Sequence, residues 1–256
     1  MKIVHLTTAH SANDIRIFHK QCCSLVEAGY DVILICPDIA RKRCKGVYID
    51  PIPIPKNRKE RMTRTVHHAY LVALNHKAHL YHFHDPELIR IAGKLKKEGA
   101  KVVYDSHEDV RAQLRTKGWL PKWSRTIISH SFGILEDYAA AKTLNAIVAA
   151  TPHIAKRFPS NKTVVVNNYP LKEEIINYGV TGIYHEPMIT YVGGISRIRG
   201  AIEMVRAMEI LKESYCQNIR LTLIGNMSPP SLKEGLSSRP GWECVDYLGW
   251  QPRDKA

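Results

Sequence analysis

No apolar run in this 256-residue sequence reaches the ~20 residues that a membrane-spanning helix needs. The opening stretch, MKIVHL, carries one lysine and no small-residue cleavage site before it gives way to polar TTAHSAND, so no secretory leader is expected. Cysteine is sparse and has no pairing pattern. Cys22, Cys23, Cys36, Cys44, Cys216 and Cys244 form no C-x-x-C and fall mostly inside apolar runs, as reduced packing residues of a cytosolic protein do. Zinc spacings and an RNP-like aromatic motif are missing, which leaves no recognised nucleic-acid module. The phosphate loop G-x-x-x-x-G-K-[ST] and the dinucleotide loop G-x-G-x-x-G are missing too, so neither ATP hydrolysis nor NAD chemistry is the natural reading. Acidic residues are few: 24 against 37 lysines and arginines, a formal charge of +13.

Much of the positive excess is local. Residues 41–64 hold nine lysines and arginines against two acids, a net of +7. Such a surface attracts nucleic acid, anionic lipid or anionic small molecules, or is a solvated basic loop; charge alone does not choose. With no nucleic-acid module beside it, nucleic acid is not the expected partner.

What is present is a regular alternation. Apolar KIVHL is followed by a polar loop in which Asn13 or Asp14 can cap a helix, then by helical spacing at Ile15, Phe18, Cys22, Leu25 and Val26, a stop at Gly29 and a buried strand DVILIC. Strand and helix patterns continue to KTVVVNNYP near residue 170. A second start follows with strand MITYVGG, a helix over 199–213, strand IRLTLIGN and strand ECVDYLGW. Strands alternating with helices predict parallel, doubly wound sheets in an α/β protein. The expected domains are residues 1–172 and 187–256, with a linker at 173–186. The second holds about half the strands of a doubly wound domain and is expected to be incomplete.

In open α/β sheets, ligands bind at the loops leaving the carboxyl ends of strands. Those loops offer His10, Asp14 and Arg16, then His84, Asp85 and Glu87, then Asp105, His107, Glu108 and Asp109, and later Asn167 and Asn168. Asp14 and Asp85 can equally be helix caps. In HLYHFHD, His82 and His84 share one strand face while His79 takes the other, so a polar strand end is expected rather than a metal site. The segment YVGGISRIRG is the most specific. Gly193 and Gly194 let a ligand approach the backbone, a helix N-terminus follows, and Arg197 and Arg199 bring forked donors suited to phosphate oxygens.

The stretches HSANDIRIFHKQCCSLVEAGYDV, HFHDPEL, KVVYDSHED, VVNNYP, YVGGISRIRGAIEMVRAMEIL and LTLIGN…VDYLGW run in order across nearly the whole chain. In these it resembles the retaining glycosyltransferases of the GT-B fold, in particular family 4 of bacterial envelope and exopolysaccharide enzymes. The resemblance implies two Rossmann-like domains, acceptor-side then nucleotide-sugar-binding. It implies transfer of a hexose-type sugar from a nucleotide diphosphate sugar to a glycan or lipid-linked acceptor, in the cytoplasm at the inner face of the plasma membrane, with no cofactor and no metal.

By position, Arg199 stands where relatives hold the donor diphosphate with a lysine before glycine. Arg197 assists, and Gly193, Gly194 and Gly225 complete the donor site. His107 resembles the histidine that faces the donor sugar and, with Asp14, is the catalytic expectation. His10, Arg16, Asp85, Glu108 and Asn168 belong to the acceptor side. The family's glutamate pair would fall beyond Ala256, so a truncated, non-catalytic glycan- or lipid-binding remnant is the alternative. Finally, TKGWLPKWSRTIISHSFGIL mixes Trp119 and Trp123 with Lys117, Lys122 and Arg125. It reads as a segment that approaches anionic membrane or as a loop with its tryptophans in the core.

Overall fold

The computed structural model describes residues 1–118, 120–171 and 187–252. The chain divides into two compact units, Met1–Ile175 and Ile176–Ala256. The expected linker at 173–186 lies outside the described residues.

The first unit is built on an eight-stranded sheet in the order β3-β4-β2-β1-β5-β6-β7-β8. Its strands are β1 (Lys2–Leu6), β2 (Asp31–Pro37), β3 (Lys42–Cys44), β4 (Val47–Ile52), β5 (Leu80–Phe83), β6 (Lys101–Ser106), β7 (Ala146–Ala149) and β8 (Thr163–Val165). Every pairing is parallel except β3 on β4. That exception places the most basic stretch of the sequence: β3 is exposed throughout, and charged side chains there keep a free sheet edge from pairing with another chain.

Helices cover both faces. Helix α1 runs through Ile15–Cys22 into Cys23–Glu27. Its buried Ile17, Phe18 and Cys22 pack on Val32, Leu34, Cys36, Val47 and Ile49. Asp14 caps it, as its position suggested, by accepting the Ile17 N–H at 2.8 Å. The opposite face carries the larger core, around Tyr81, Phe83, Leu88, Leu95 and Tyr104. Helix α2 (Arg58–Glu60, Arg61–Thr65 and Val66–His76 in succession) and α3 (Pro86–Leu88, then Ile89–Lys97) contribute to it. The sequence pattern missed α4 (Val110–Thr116), which is capped by Asp109 through the Ala112 N–H at 3.0 Å. Helix α5 (Lys122–Tyr138, continued by Ala139–Thr143) packs beside it, and α6 (Pro152–Ala155) is short.

In the second unit, β9 (Met188–Val192), β11 (Arg220–Ile224) and β13 (Val245–Gly249) form a parallel sheet in the order β13-β11-β9. Helix α7 (Ala201–Ser214) lays Ala201, Val205 and Met208 on it, with Leu221 and Leu223 beneath. A two-residue pair, β10 (Ile195–Ser196) with β12 (Met227–Ser228), and helix α8 (Leu232–Ser237) were not anticipated. Both units are thus doubly wound or half-wound α/β layers, as the alternation predicted.

Candidate functional site

Two groups of residues at strand ends have the chemistry of a site, one in each unit. In the first unit the loop after β1 is fixed by Asp85, two residues past the end of β5 and directly before α3. One oxygen of Asp85, Oδ2, accepts the Thr7 hydroxyl at 2.7 Å, the Thr8 N–H at 2.6 Å and the Ala9 N–H at 3.3 Å. Asp85 makes no side-chain cap to its own helix, so of its two expected roles the capping one is absent. Glu87 adds a second tie: buried, it accepts the Thr8 hydroxyl at 2.8 Å and pairs with Arg61 at 2.8 Å. Thr7, Thr8 and Arg61 were not singled out in the sequence, because nothing local marks a threonine as the partner of a carboxylate 78 residues away.

On this clamp sits a cavity of about 470 Å³. Its polar lining includes His10, His107, Asp85 and Glu108, together with the cations Arg61, Arg90 and Lys117. His10 Nδ1 donates to Asp14 Oδ2 at 3.0 Å, its Nε2 lies 3.6 Å from Asp85 Oδ1, and its ring meets that of His107 edge-on at 5.4 Å between centroids. The Asp14 hydrogen bond raises the His10 pKa above its ordinary value, against the opposing effect of burial, with Asp85 and Glu108 adding attraction. Burial pushes the Asp14 carboxyl up, but the His10 contact and the Ile17 N–H outweigh it and bring it down to about 2. Asp14 therefore serves both as a helix cap and as the partner that favours the charged form of His10.

Arg16 and Asn168, expected on the acceptor side, do not line this cavity. Arg16 is buried and spends its guanidinium on Asp105, with Nε to Oδ2 at 2.9 Å and Nη2 to Oδ1 at 2.7 Å, and on the Val166 carbonyl at 3.1 Å. Asn168 accepts from Lys20 Nζ at 2.7 Å. Asp105, fully buried, also receives Gln21 Nε2 at 2.9 Å and faces His84 Nδ1 at 3.0 Å. It anchors the strand end from which His107 departs two residues later, and the His107 Nδ1 lies 3.3 Å from the Asp105 carbonyl.

The histidines of HLYHFHD divide as the strand period requires. His82 and His84 turn to one face, and His5 of β1, in register with His82, joins them there rather than His79. His5 Nδ1 meets His84 Nε2 at 2.9 Å, and one ligand atom from each of the three lies within 4.8 Å of the others. Burial, reinforced by the neighbouring imidazoles, keeps His5 and His82 neutral, the latter down to about 3. The geometry is that of a buried hydrogen-bonded stack under α1, continued through His84 to Asp105.

In the second unit, Gly193 and Gly225 are held against each other at the ends of β9 and β11. Both have positive φ, 148° and 137°, and a side-chain carbon on Gly225 would stand 1.9 Å from the Gly193 carbonyl oxygen. Only glycine fits there. Gly194 is exposed, and its carbonyl accepts the Tyr191 hydroxyl at 3.1 Å. Arg197 and Arg199 follow on a single 3₁₀ turn, and Gly200, with φ 77°, turns the chain into α7. Both arginines are exposed, neither forms an ion pair among the described residues, and the Arg199 guanidinium lies over Gly193. Bare backbone, a helix N-terminus and two unneutralised cations thus coincide.

Two Rossmann-like units in this order define the GT-B class of fold. No protein-family model and no curated protein matches the sequence. Among solved structures, the chain is similar to sucrose-phosphate synthase from Thermosynechococcus elongatus, with a TM-score of 0.71 at 14% identity over 99% of this chain and 71% of that one. It is similar to WaaG, a glycosyltransferase involved in lipopolysaccharide biosynthesis, with a TM-score of 0.68 at 13% identity over 98% of this chain and 70% of that one. It is similar also to Anabaena HepE in complex with UDP, with a TM-score of 0.65 at 12% identity over 99% of this chain and 70% of that one. At such identities the likeness is one of fold.

Proposed function

We propose that this chain carries the machinery of a nucleotide-sugar-dependent glycosyltransferase. It would move a hexose-type sugar from a nucleotide diphosphate donor to a glycan or lipid-linked acceptor, with retention at the anomeric carbon, in envelope or exopolysaccharide synthesis. The observation that carries the reading is the pair of exposed guanidiniums of Arg197 and Arg199 at the entry to α7, without an ion pair among the described residues and with Arg199 beside Gly193. Departure of a nucleoside diphosphate builds negative charge, and cations fixed beforehand at a helix N-terminus stabilise it. Such a device needs neither cofactor nor metal to hold the leaving group. The UDP bound by the HepE neighbour supports a nucleoside diphosphate as the ligand.

On the acceptor side, His107 would face the donor sugar, with His10 and Asp14 behind it and Asp85 and Glu108 on the same cavity. His107→Ala is expected to lower turnover of a UDP-hexose by at least about 100-fold, the scale of one positioned proton-transferring or charge-stabilising group, while UDP affinity stays within a factor of about two. The reverse pattern, weakened UDP binding with turnover kept, would remove His107 from the catalytic list. A chain that binds no nucleoside diphosphate by calorimetry would overturn the whole reading.

A peripheral contact with anionic membrane belongs to the same proposal, at the inner face of the plasma membrane. Among the described residues no helix is long and apolar enough to cross a membrane. Of the two readings open for the tryptophan segment, Trp123 takes the exposed one at 77%; Trp119 lies outside the described residues. Lys122 and Arg125 stand on the same first turn of α5. Co-sedimentation with vesicles containing phosphatidylserine should exceed that with neutral vesicles several-fold and fall in Trp123→Ala, since basic residues contribute about 1 kcal/mol each near an anionic surface. Equal binding to both vesicle types would count against the contact.

A further inference from the structure

Imidazole is costly to bury without partners, and this chain buries three imidazoles against one another. The strand period puts His82 and His84 on one face, and the register of β1 on β5 sets His5 beside His82. The three are 0%, 9% and 1% exposed for His5, His82 and His84, and their ring centroids lie 4.7, 4.8 and 5.2 Å apart. His79, on the other strand face, takes no part, and a neighbouring strand supplies the third ring instead.

Hydrogen bonding accounts for only part of the cluster. Asp105, held by two arms of Arg16, is a carboxylate that can only accept, so His84 Nδ1 donates to it at 3.0 Å and His84 Nε2 carries a lone pair. His5 Nδ1 then donates to that Nε2 at 2.9 Å, which leaves another lone pair on His5 Nε2. Both His5 Nε2 and His82 Nε2 are buried with no hydrogen-bond partner among the described residues. Gln21 Oε1 is a third such atom, on a side chain whose nitrogen is tied to Asp105. Orphaned buried atoms are rare, and lone pairs gathered in one place are what a cation takes up.

The spacing suits a transition metal. One nitrogen from each ring lies within 4.8 Å of the other two. Zinc bonds imidazole at about 2.0–2.1 Å, which holds neighbouring nitrogens ~3.3 Å apart in a tetrahedron. Turning the rings about their Cβ–Cγ bonds, a soft torsion, closes the difference. Behind His84, Asp105 is the carboxylate that fixes the tautomer of a metal-bound imidazole and offsets the charge of the ion. The Arg16 guanidinium is matched by the same carboxylate and does not stand as a free charge against the ion. His84 also lines the cavity, which gives the ion a way in.

We propose that His5, His82 and His84 bind one divalent transition-metal ion of the zinc type, with Asp105 orienting His84 from behind. The ion clasps β1 to β5 at the ends from which Thr7 and Asp85 depart. It is independent of the transfer reaction proposed above, which asks for no metal.

The full chain, stripped with a chelator, is titrated with Zn²⁺ against a competing indicator and with Co²⁺ followed by visible absorption. One equivalent should bind, Co²⁺ should give the intense bands of a tetrahedral site, and zinc about a hundredfold above its Kd should raise Tm by about 5–10 °C. X-ray absorption of the zinc-loaded wild type should show three imidazoles at about 2.0–2.1 Å, a readout that needs no variant. His82→Phe keeps a ring in the cluster and strands no hydrogen-bond partner, because His82 has none. It should bind zinc at least about 100-fold more weakly, beyond the loss that follows removal of an outer partner of a ligand, and show no gain in Tm. His67→Gln/His68→Gln, at exposed positions on α2, should leave every readout unchanged. Weak octahedral Co²⁺ bands would overturn the proposal, as would zinc binding lost in the double variant but kept in His82→Phe, which marks surface ions only. So would no bound zinc at all, which would leave the three rings as a hydrogen-bonded stack.

Discussion

Asp105→Asn is expected to lower the unfolding free energy by about 3–5 kcal/mol, the cost of leaving one partner of a buried ion pair uncompensated. The carboxylate is fully buried and accepts from both arms of Arg16 and from Gln21, with His84 at 3.0 Å. Asparagine keeps the shape but removes the charge that the Arg16 guanidinium requires, and its amide nitrogen would point N–H groups at other donors. Chemical denaturation followed by circular dichroism, extrapolated linearly to water, reads the loss.

The pH dependence gives an independent check. Burial pushes the Asp105 carboxyl up, yet the hydrogen bonds from His84 and Arg16 prevail and hold it well below the ordinary carboxylate value. A group whose folded pKa is depressed stabilises the fold above its unfolded pKa of about 3.9, and that stability drains away as pH falls toward the folded value. The wild-type chain should thus lose stability more steeply below about pH 4 than Asp105→Asn does. A loss under about 1 kcal/mol at neutral pH, with parallel acid profiles, would mean that the network contributes little.

Arg199→Ala is expected to weaken UDP binding by about 2–3 kcal/mol, the worth of a charge-assisted contact to phosphate. In Kd this is roughly 30- to 150-fold. Arg199 is exposed in the free chain and makes no ion pair among the described residues, so its removal strands no buried partner and the fold should be unaffected. Arg199→Lys should recover most of the affinity, because a point charge still meets the diphosphate although the forked geometry is lost. The difference between wild type and Arg199→Ala should shrink as salt rises, since exposed charges are screened. Calorimetry with UDP at low and high salt settles the matter, and unchanged affinity in Arg199→Ala would place the diphosphate elsewhere.

The parts of this molecule that were legible in the sequence are those encoded within one turn of chain. Asp14 was readable as a cap because the N–H it accepts belongs to Ile17, three residues on. The segment around Gly193, Arg197, Arg199 and Gly200 was readable for the same reason: positive φ, charge and helix start all lie within eight residues. By contrast α4 was missed, since seven residues without a long apolar period resemble a loop. Arg16 was assigned to the acceptor side from its loop position, but its guanidinium turns inward to a carboxylate 89 residues away.

The sequence by itself determined the α/β class, most of the alternation of strands with helices, and the pairing of Gly193 and Gly194 with the two arginines that follow them. These follow from side-chain period and backbone stereochemistry, which act between near neighbours. Only the tertiary structure decided that His5 rather than His79 stacks with His82 and His84, that Asp85 ties down the loop after β1, and that residues of α4 and α5 line the His107 cavity. Those outcomes depend on which strands lie side by side. The order β3-β4-β2-β1-β5-β6-β7-β8 is set by crossovers whose direction and packing no local pattern records.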